Sequence, residues 1–408
     1  MSYFGELLSN WNRLLGTCVA LGTGAALSFF TMSLFGPALI DDLGWSKAQF
    51  ALVGTVPIVS FFTLPIVGRF ADMVGPRKAG TFGFATLTLS FLALSMMTGS
   101  LWEFLAINVV VSVFGVMTSS LVFGRVIVDR FDHARGLALS IMMSASPLAG
   151  ALVTPLIGMM IAQYGWRSGY LALAALSATG GIIALSLIGR GPAAAARARP
   201  MLKVSRPELM RIARNPVFPL LLAGMFLVNI PQTFASSQLK LVALDNGISD
   251  MSATWLVSLY PLGSICGRLL CGLALDRIKP HLVALVTLGL PAFSFFVFAL
   301  EIPAFWLLVA GVLVIGLAQG AEGDVGAFII SRRFDQQNFS LLYAFLNMMV
   351  SSGTAIGSLV LSATLHLGYD YQPYIIVCAI ASFAGAVLFA TTGLVDRPAN
   401  VESTEKRI

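Results

Sequence analysis

The chain has 408 residues, 57% of them hydrophobic and only 11% charged, with a mean hydropathy of +0.86. A soluble domain carries about 25% charged residues, so this composition excludes a water-soluble globule and points to a polytopic membrane protein. The net charge of +6 does not imply nucleic acid, because the basic residues fall in short separate clusters rather than one patch.

Apolar segments of about 20 residues, enough to cross roughly 30 Å of hydrocarbon, recur along the whole chain. They fall at 14–37, 49–69, 79–99, 104–128, 137–161, 168–189, 216–240, 252–275, 281–301, 304–331, 339–364 and 372–393. Lipid offers no water to backbone polar groups, so each of these twelve spans is expected to be a helix. The first run is too long for a signal-peptide core. Lysine and arginine set the orientation. Arg69, Arg77, Lys78, Arg130, Arg135, Arg277, Lys279, Arg332 and Arg333 lie on the side of the N-terminus, and only Lys47, Arg167 and Lys240 lie opposite. The expectation is a multi-pass protein of a bacterial inner membrane with both termini cytoplasmic. Residues 1–190 and 216–395 form six-helix bundles, 191–215 a cytoplasmic linker and 396–408 a tail. Within the linker, Ser205-Arg206-Pro207-Glu208 starts either a short surface helix or a solvated tether.

The four cysteines, Cys18, Cys266, Cys271 and Cys378, lie in apolar runs and read as small buried hydrophobes, with no disulfide or zinc spacing. The three histidines are far apart, and no His-Glu-x-x-His motif occurs. No metal, no cofactor and no enzyme activity are expected.

The chain repeats itself. Gly44-Trp45-Ser46 is echoed by Gly247-Ile248-Ser249, Gly68-Arg69-Phe70-Ala71-Asp72 by Gly272-Leu273-Ala274-Leu275-Asp276, Arg130-Phe131-Asp132 by Arg333-Phe334-Asp335, and Gly165-Trp166 by Gly368-Tyr369. Four matches at almost one offset, in order, imply two halves related by a pseudo-two-fold axis along the membrane normal. Such halves enclose a site near the midplane and rock about it.

The stretch Gly68-Arg69-Phe70-Ala71-Asp72-Met73-Val74-Gly75-Pro76-Arg77-Lys78 resembles the signature loop between helices 2 and 3 of the major facilitator superfamily. The resemblance covers the whole chain and implies an all-α membrane fold of twelve helices in two pseudo-symmetric six-helix halves. It also implies a latching role for Gly68, Asp72, Gly75, Arg77 and Lys78, with Asp276 and Arg277 in the second copy. Phe35-Gly36-Pro37, Leu43-Gly44-Trp45-Ser46, Arg135-Gly136-Leu137-Ala138-Leu139, Gly165-Trp166-Arg167 and Gly267-Arg268-Leu269-Leu270 resemble the monocarboxylate and oxalate/formate porter branch. That likeness implies that Arg268 binds a substrate carboxylate. The sequence departs from both reference patterns: Val350 and Phe30 stand near the places of two family lysines, which argues against oxalate and simple lactate.

Four ionisable groups lie inside spans: Arg125, Arg268, Glu322 and Asp324. An arginine in hydrocarbon costs about 2.5–3.5 kcal/mol on insertion scales and marks a site or an ion pair. Arg268 lies about 12 Å above Asp276 and Glu322 roughly 16 Å above Arg333, whereas Arg125 is only about 7–8 Å above Arg130. Arg268 is therefore either a bidentate carboxylate ligand or half of an inter-helix pair, and Arg125 either a substrate or gate residue or a snorkelling one. Glu322 and Asp324 point about 200° apart, so one faces the cavity as a candidate proton carrier while the other pairs with a neighbour. Asn229, Gln232, Tyr260, Gln319 and Asn347 either line the cavity as substrate contacts or hydrogen-bond helices together. The functional expectation is a monomeric secondary transporter in the lipid bilayer. It takes up a small organic monocarboxylate together with a proton by alternating access; the alternatives are organic-anion exchange or proton-driven efflux of an amphipathic compound.

Overall fold

The computed structural model describes residues 3–189, 206–300, 305–335 and 338–395, and no strand occurs among them. A short helix, α1 (Tyr3–Ser9), precedes the first half. Its spans are α2 (Trp11–Thr23) with α3 (Ala25–Leu43), α4 (Lys47–Ala51) with α5 (Ile58–Val74), α6 (Pro76–Met96), α7 (Leu101–Gly115) with α8 (Ser120–Val128), α9 (Arg135–Tyr164) and α10 (Trp166–Ile188). Of the two readings of the stretch at Arg206, helix or tether, the helix is present as α11 (Arg206–Arg214); the rest of the linker up to residue 205 and the C-terminal tail lie outside the described residues. The second half holds α12 (Val217–Val228) with α13 (Leu239–Asp245), α14 (Asp250–Leu275), α15 (Pro280–Ala299), α16 (Phe305–Arg333), α17 (Phe339–His366) and α18 (Gln372–Thr391).

Eleven of these runs are long and apolar enough to cross a membrane. The seventh is broken, where a continuous helix over 216–240 is expected. Pro231 supplies no N–H and crowds the preceding turn, so α12 stops at Val228 and the chain resumes through a π-helical turn, Phe234–Gln238, before α13. The Ile230 carbonyl at the break is recovered by the Tyr374 hydroxyl at 3.0 Å. This span runs on to Asp245, which places Lys240 inside it rather than in an outer loop. Its side chain is only 3% exposed and pairs with Asp250 at 2.7 Å. Cys266 also departs from expectation: it is exposed on the outer face of α14, beside Leu262, Leu269 and Leu270, whereas Cys271 and Cys378 are buried.

The two halves repeat down to their turns. Gly44 and Gly247 both take left-handed φ values, 68° and 74°, as do Gly165 and Gly368 at 81° and 86°, a region glycine enters without penalty. Two residues after the first pair, Ser46 and Ser249 each cap the next helix by accepting a backbone N–H.

The core shows which end is closed. Around Lys47, one apolar cluster joins residues of both halves, including Phe35, Phe50 and Trp45 with Phe234, Leu241 and Tyr374. Toward Arg69 the core divides into three clusters, each confined to one half. Polar links reinforce the closed end. Ser358 Oγ donates to the Ala51 carbonyl at 2.5 Å, Ser362 Oγ to that of Ala48 at 2.8 Å, and the Lys240 N–H to Ser33 Oγ at 2.8 Å. Lys47 Nζ reaches both carboxylate oxygens of Asp245 at 2.6 Å. An exposed pair is worth about 0–1 kcal/mol, so Asp245→Asn should shift the balance toward opening of this end by no more than about fivefold. Spin-label distances across residues 47 and 245 in the variant measure that shift.

At the opposite end, the buried Glu6 carboxylate accepts the backbone N–H groups of Asp132 at 2.6 Å and Ala134 at 2.8 Å. It thereby ties α1 to the start of α9. Those donors hold the carboxyl below its ordinary range. The stabilisation is complete above the usual glutamate value of about 4.3 and is lost as pH falls through the lower folded-state value. Glu6→Gln should melt earlier than the native protein at pH 7, and the difference should close in acid.

Candidate functional site

Helices α14 and α16 meet backbone to backbone. A Cβ on Gly267 would overlap the Leu317 carbonyl, one on Gly263 the Leu313 carbonyl, one on Gly316 the Tyr260 carbonyl and one on Gly320 the Ser264 carbonyl. Two glycines four residues apart on each helix create this contact, the small-residue packing that lets membrane helices approach closely. The spacing stands in the sequence as Gly263-x-x-x-Gly267 and Gly316-x-x-x-Gly320 and is the signal that a reading centred on charges misses.

That crossing sets Arg268 against Asp324. Arg268 Nε lies 3.6 Å from Asp324 Oδ2, with the side chains 30% and 38% exposed. The separation is a charge contact, longer than a hydrogen bond. Among the described residues no protein group accepts a hydrogen bond from the guanidinium, so the outer fork of Arg268 is open to an acceptor. The Tyr343 hydroxyl borders the same place, 3.6 Å from where a Cβ on Gly323 would stand.

Glu322 turns the other way, as the 200° separation requires, and is buried with 8% exposure. Its Oε2 accepts from Asn229 Nδ2 at 3.1 Å and its Oε1 from Gln319 Nε2 at 3.0 Å. The chain of bonds continues: Tyr260 Oη donates to Gln319 Oε1 at 3.0 Å, and Gln232 Nε2 donates to Tyr260 Oη at 3.3 Å. Five of the residues singled out from the sequence thus form one network joining α14, α16 and the break after α12. Tyr260 carries it to the interface of the halves, where Phe29 and Phe30 of α3 pack at ring-centroid distances of 6.4 and 6.1 Å. Leaving either amide donor unpaired in this interior costs about 1–3 kcal/mol. Glu322→Leu, which takes the acceptor from Gln319 and one of the two that Asn229 Nδ2 uses, the other being the Met225 carbonyl at 2.9 Å, should therefore lower the unfolding midpoint in a thermal melt.

A cavity of about 320 Å³ opens beside Phe29. Four spans lose helical regularity at its wall. The chain breaks at Gly24 between α2 and α3, a 3-10 turn at Leu52–Thr55 joins α4 to Pro57, another at Val116–Thr118 joins α7 to α8, and the π-helical turn follows α12. Irregular backbone at membrane depth is tolerated where it is buried in protein or lines a cavity. Here Ala25 N–H, freed by the first break, is taken by Thr118 Oγ1 at 3.0 Å. Asn108, Ser112, Ser236, Ser237 and Thr354 line this cavity and escaped the sequence reading, because short polar side chains in apolar helices look like ordinary helix-to-helix contacts.

Other expected site residues lie apart. Asn347 is exposed and donates to the Tyr343 carbonyl of its own helix. Arg125 is half-buried in the last turn of α8, away from the Arg268 pair. In the signature loop, Gly75 takes φ 83° and ends α5, and Pro76 starts α6, the pairing expected of a tight helix reversal. The Asp72 side chain lies outside the described residues, and Asp276 and Arg277 are exposed. Trp166 and Arg167 both bind Asp42, the indole at 2.8 Å and the guanidinium at 3.2 Å, so that stretch braces the closed end of the first half.

Comparison with known proteins agrees with this architecture. The chain is 23% identical over 398 residues to an MFS-type transporter of Gibberella moniliformis, covering 94% of this chain and 88% of that one. It is 25% identical to the agnestins efflux protein of Paecilomyces divaricatus (87% and 80% covered) and 23% identical to monocarboxylate transporter 3 of Rattus norvegicus (76% and 65% covered). The crystal structure of a point mutant of the nucleoside transporter NupG superposes with a TM-score of 0.75 at 13% identity, covering 94% of this chain and 100% of that one. The peptide transporter POT in complex with sulfate gives 0.73 at 16%, with 94% and 95% covered. The family model described as Major Facilitator Superfamily matches residues 21–241 and again 221–407. With a match to each half, the repeated turns and the twelve spans, the chain belongs to the major facilitator superfamily and is a secondary transporter.

Proposed function

We propose that the protein carries a small organic monocarboxylate together with one proton, by rocking of residues 1–190 against 216–395. The observation that supports this most is the Arg268–Asp324 contact, a guanidinium with open donors facing a single partly exposed carboxylate. In the empty carrier the two charges balance. An arriving proton neutralises Asp324 and frees the guanidinium, whose planar fork then receives the cargo carboxylate bidentately. The net charge of the loaded site equals that of the empty one. Loading the anion without the proton leaves one uncompensated negative charge to cross the membrane interior, at a cost of several kcal/mol. Coupling follows from that cost.

In this reading Asp324 is the proton carrier and Glu322 is the positioning residue that fixes the helix break and Tyr260. By the positive-inside rule the closed Lys47 end is outside, so the conformation described opens to the cytoplasm. Both termini lie on the cytoplasmic side, and Asp72, Arg77, Lys78, Asp276 and Arg277 latch the open end when it closes. The efflux proteins among the relatives and the apolar cavity favour a second reading, export of the same cargo class, which differs only in which gradient drives the cycle. Purified protein in liposomes should move a carboxylate and protons together, read with an internal pH dye. Uptake that requires internal carboxylate and ignores a pH gradient would overturn proton symport in favour of exchange.

A further inference from the structure

The central cavity lies where the breaks in four helices meet, and its chemistry differs from that of the Arg268 site. No charged residue lines it. Most of its hydroxyls spend their protons within the protein: Ser28 donates to the Ala25 carbonyl, Ser119 to Val116, Ser237 to Thr233 and Thr354 to Val350, while Ser112 and Ser60 share a proton at 2.6 Å. What these groups present to the cavity is mainly lone pairs, and the remaining wall is largely Phe29, Met32, Val53, Val56 and Val111. A carboxylate placed here meets no cation, and only neutral donors such as Asn108 and Ser236. It would lose its hydration without gaining a charged partner.

Arg268, by contrast, presents donors that no protein acceptor takes among the described residues. It lies two helical turns from Tyr260, about 12 Å by the helical rise. Helical side chains lean toward the N-terminus of their helix, which for α14 is the direction of Tyr260. Tyr260 in turn packs on Phe29, whose ring lines the cavity.

From this juxtaposition we infer that the cargo is an amphipathic carboxylic acid with a compact aromatic body. The carboxylate sits on Arg268, and the body passes Tyr260 into the Phe29–Met32 chamber. The inference rests on the carboxylate-carrier reading and adds the substrate class. It also accounts for a cavity volume at the lower end of the range for ligand pockets, since the charged end of the molecule is held elsewhere. Short hydrophilic acids such as acetate would reach Arg268 but leave the chamber unfilled.

The test uses the full-length protein in liposomes and in detergent. Acetate, 3-phenylpropanoate and the uncharged 3-phenylpropanol are compared as competitors of uptake and as thermal stabilisers. The native protein should prefer 3-phenylpropanoate to acetate at least tenfold. Ala26→Phe, which fills the chamber, should weaken 3-phenylpropanoate tenfold or more and change acetate less than twofold. Met32→Ala, which enlarges the chamber without adding bulk, should improve binding of 3-(2-naphthyl)propanoate relative to 3-phenylpropanoate. Arg268-dependent binding that shows no preference for the aromatic acid, or that neither chamber variant alters selectively, overturns the inference and leaves the carboxylate reading standing. Equal binding of 3-phenylpropanol and 3-phenylpropanoate, unaffected by Arg268→Gln, overturns the carboxylate reading itself.

Discussion

Arg268→Lys should weaken carboxylate binding about 10- to 150-fold, the equivalent of one charged hydrogen bond of about 1.5–3 kcal/mol. Lysine keeps the charge but loses the planar fork that matches a carboxylate, so the loss isolates geometry from Coulomb attraction. Stability should hardly change. The Arg268–Asp324 contact is 3.6 Å long and partly exposed, and such pairs contribute about 0–1 kcal/mol. Equilibrium binding of a carboxylate and a thermal melt of the same preparation separate the two effects. Unchanged affinity in the lysine variant would assign Arg268 to helix pairing alone.

Gly320→Ala should damage the same site without touching a charge. The added Cβ overlaps the Ser264 carbonyl and stands 2.9 Å from the Arg268 amide nitrogen, so α14 and α16 must separate. Overpacking of this kind costs about 1–3 kcal/mol, and the separation pulls Arg268 away from Asp324. Gly272→Ala is the internal control. Its Cβ enters open space, and alanine is the better helix former by up to about 1 kcal/mol. The expected result is a lowered melting temperature and lost uptake for Gly320→Ala, with both retained for Gly272→Ala. Equal behaviour of the two variants would contradict a backbone-to-backbone crossing.

The twelve-span plan was legible because lipid leaves the sequence few choices. Long apolar runs must be helices, and repeated Gly44/Gly247 and Gly165/Gly368 turns expose the duplicated half directly. The divergence of Glu322 and Asp324 was legible too, since it follows from helical geometry alone. Which carboxyl meets Arg268 was not. That depends on the rotation of α14 against α16, which the glycine stripe decides and the charges do not. The break after α12 was hidden because proline inside a membrane helix bends some spans and interrupts others; here Tyr374 and the π-helical turn recover the freed groups. The chamber beside Phe29 was invisible for a related reason. Its wall is made by four local departures from regular helix, each small in sequence terms and meaningful only once they meet.

The proton's resting place on Asp324 is tested most directly by Asp324→Asn in liposomes, with a labelled carboxylate measured under an imposed pH gradient and under counterflow. Asparagine holds the site permanently in its uncharged form. The expected result is preserved counterflow with no gradient-driven accumulation. Accumulation at the native level in this variant would show that the proton travels elsewhere.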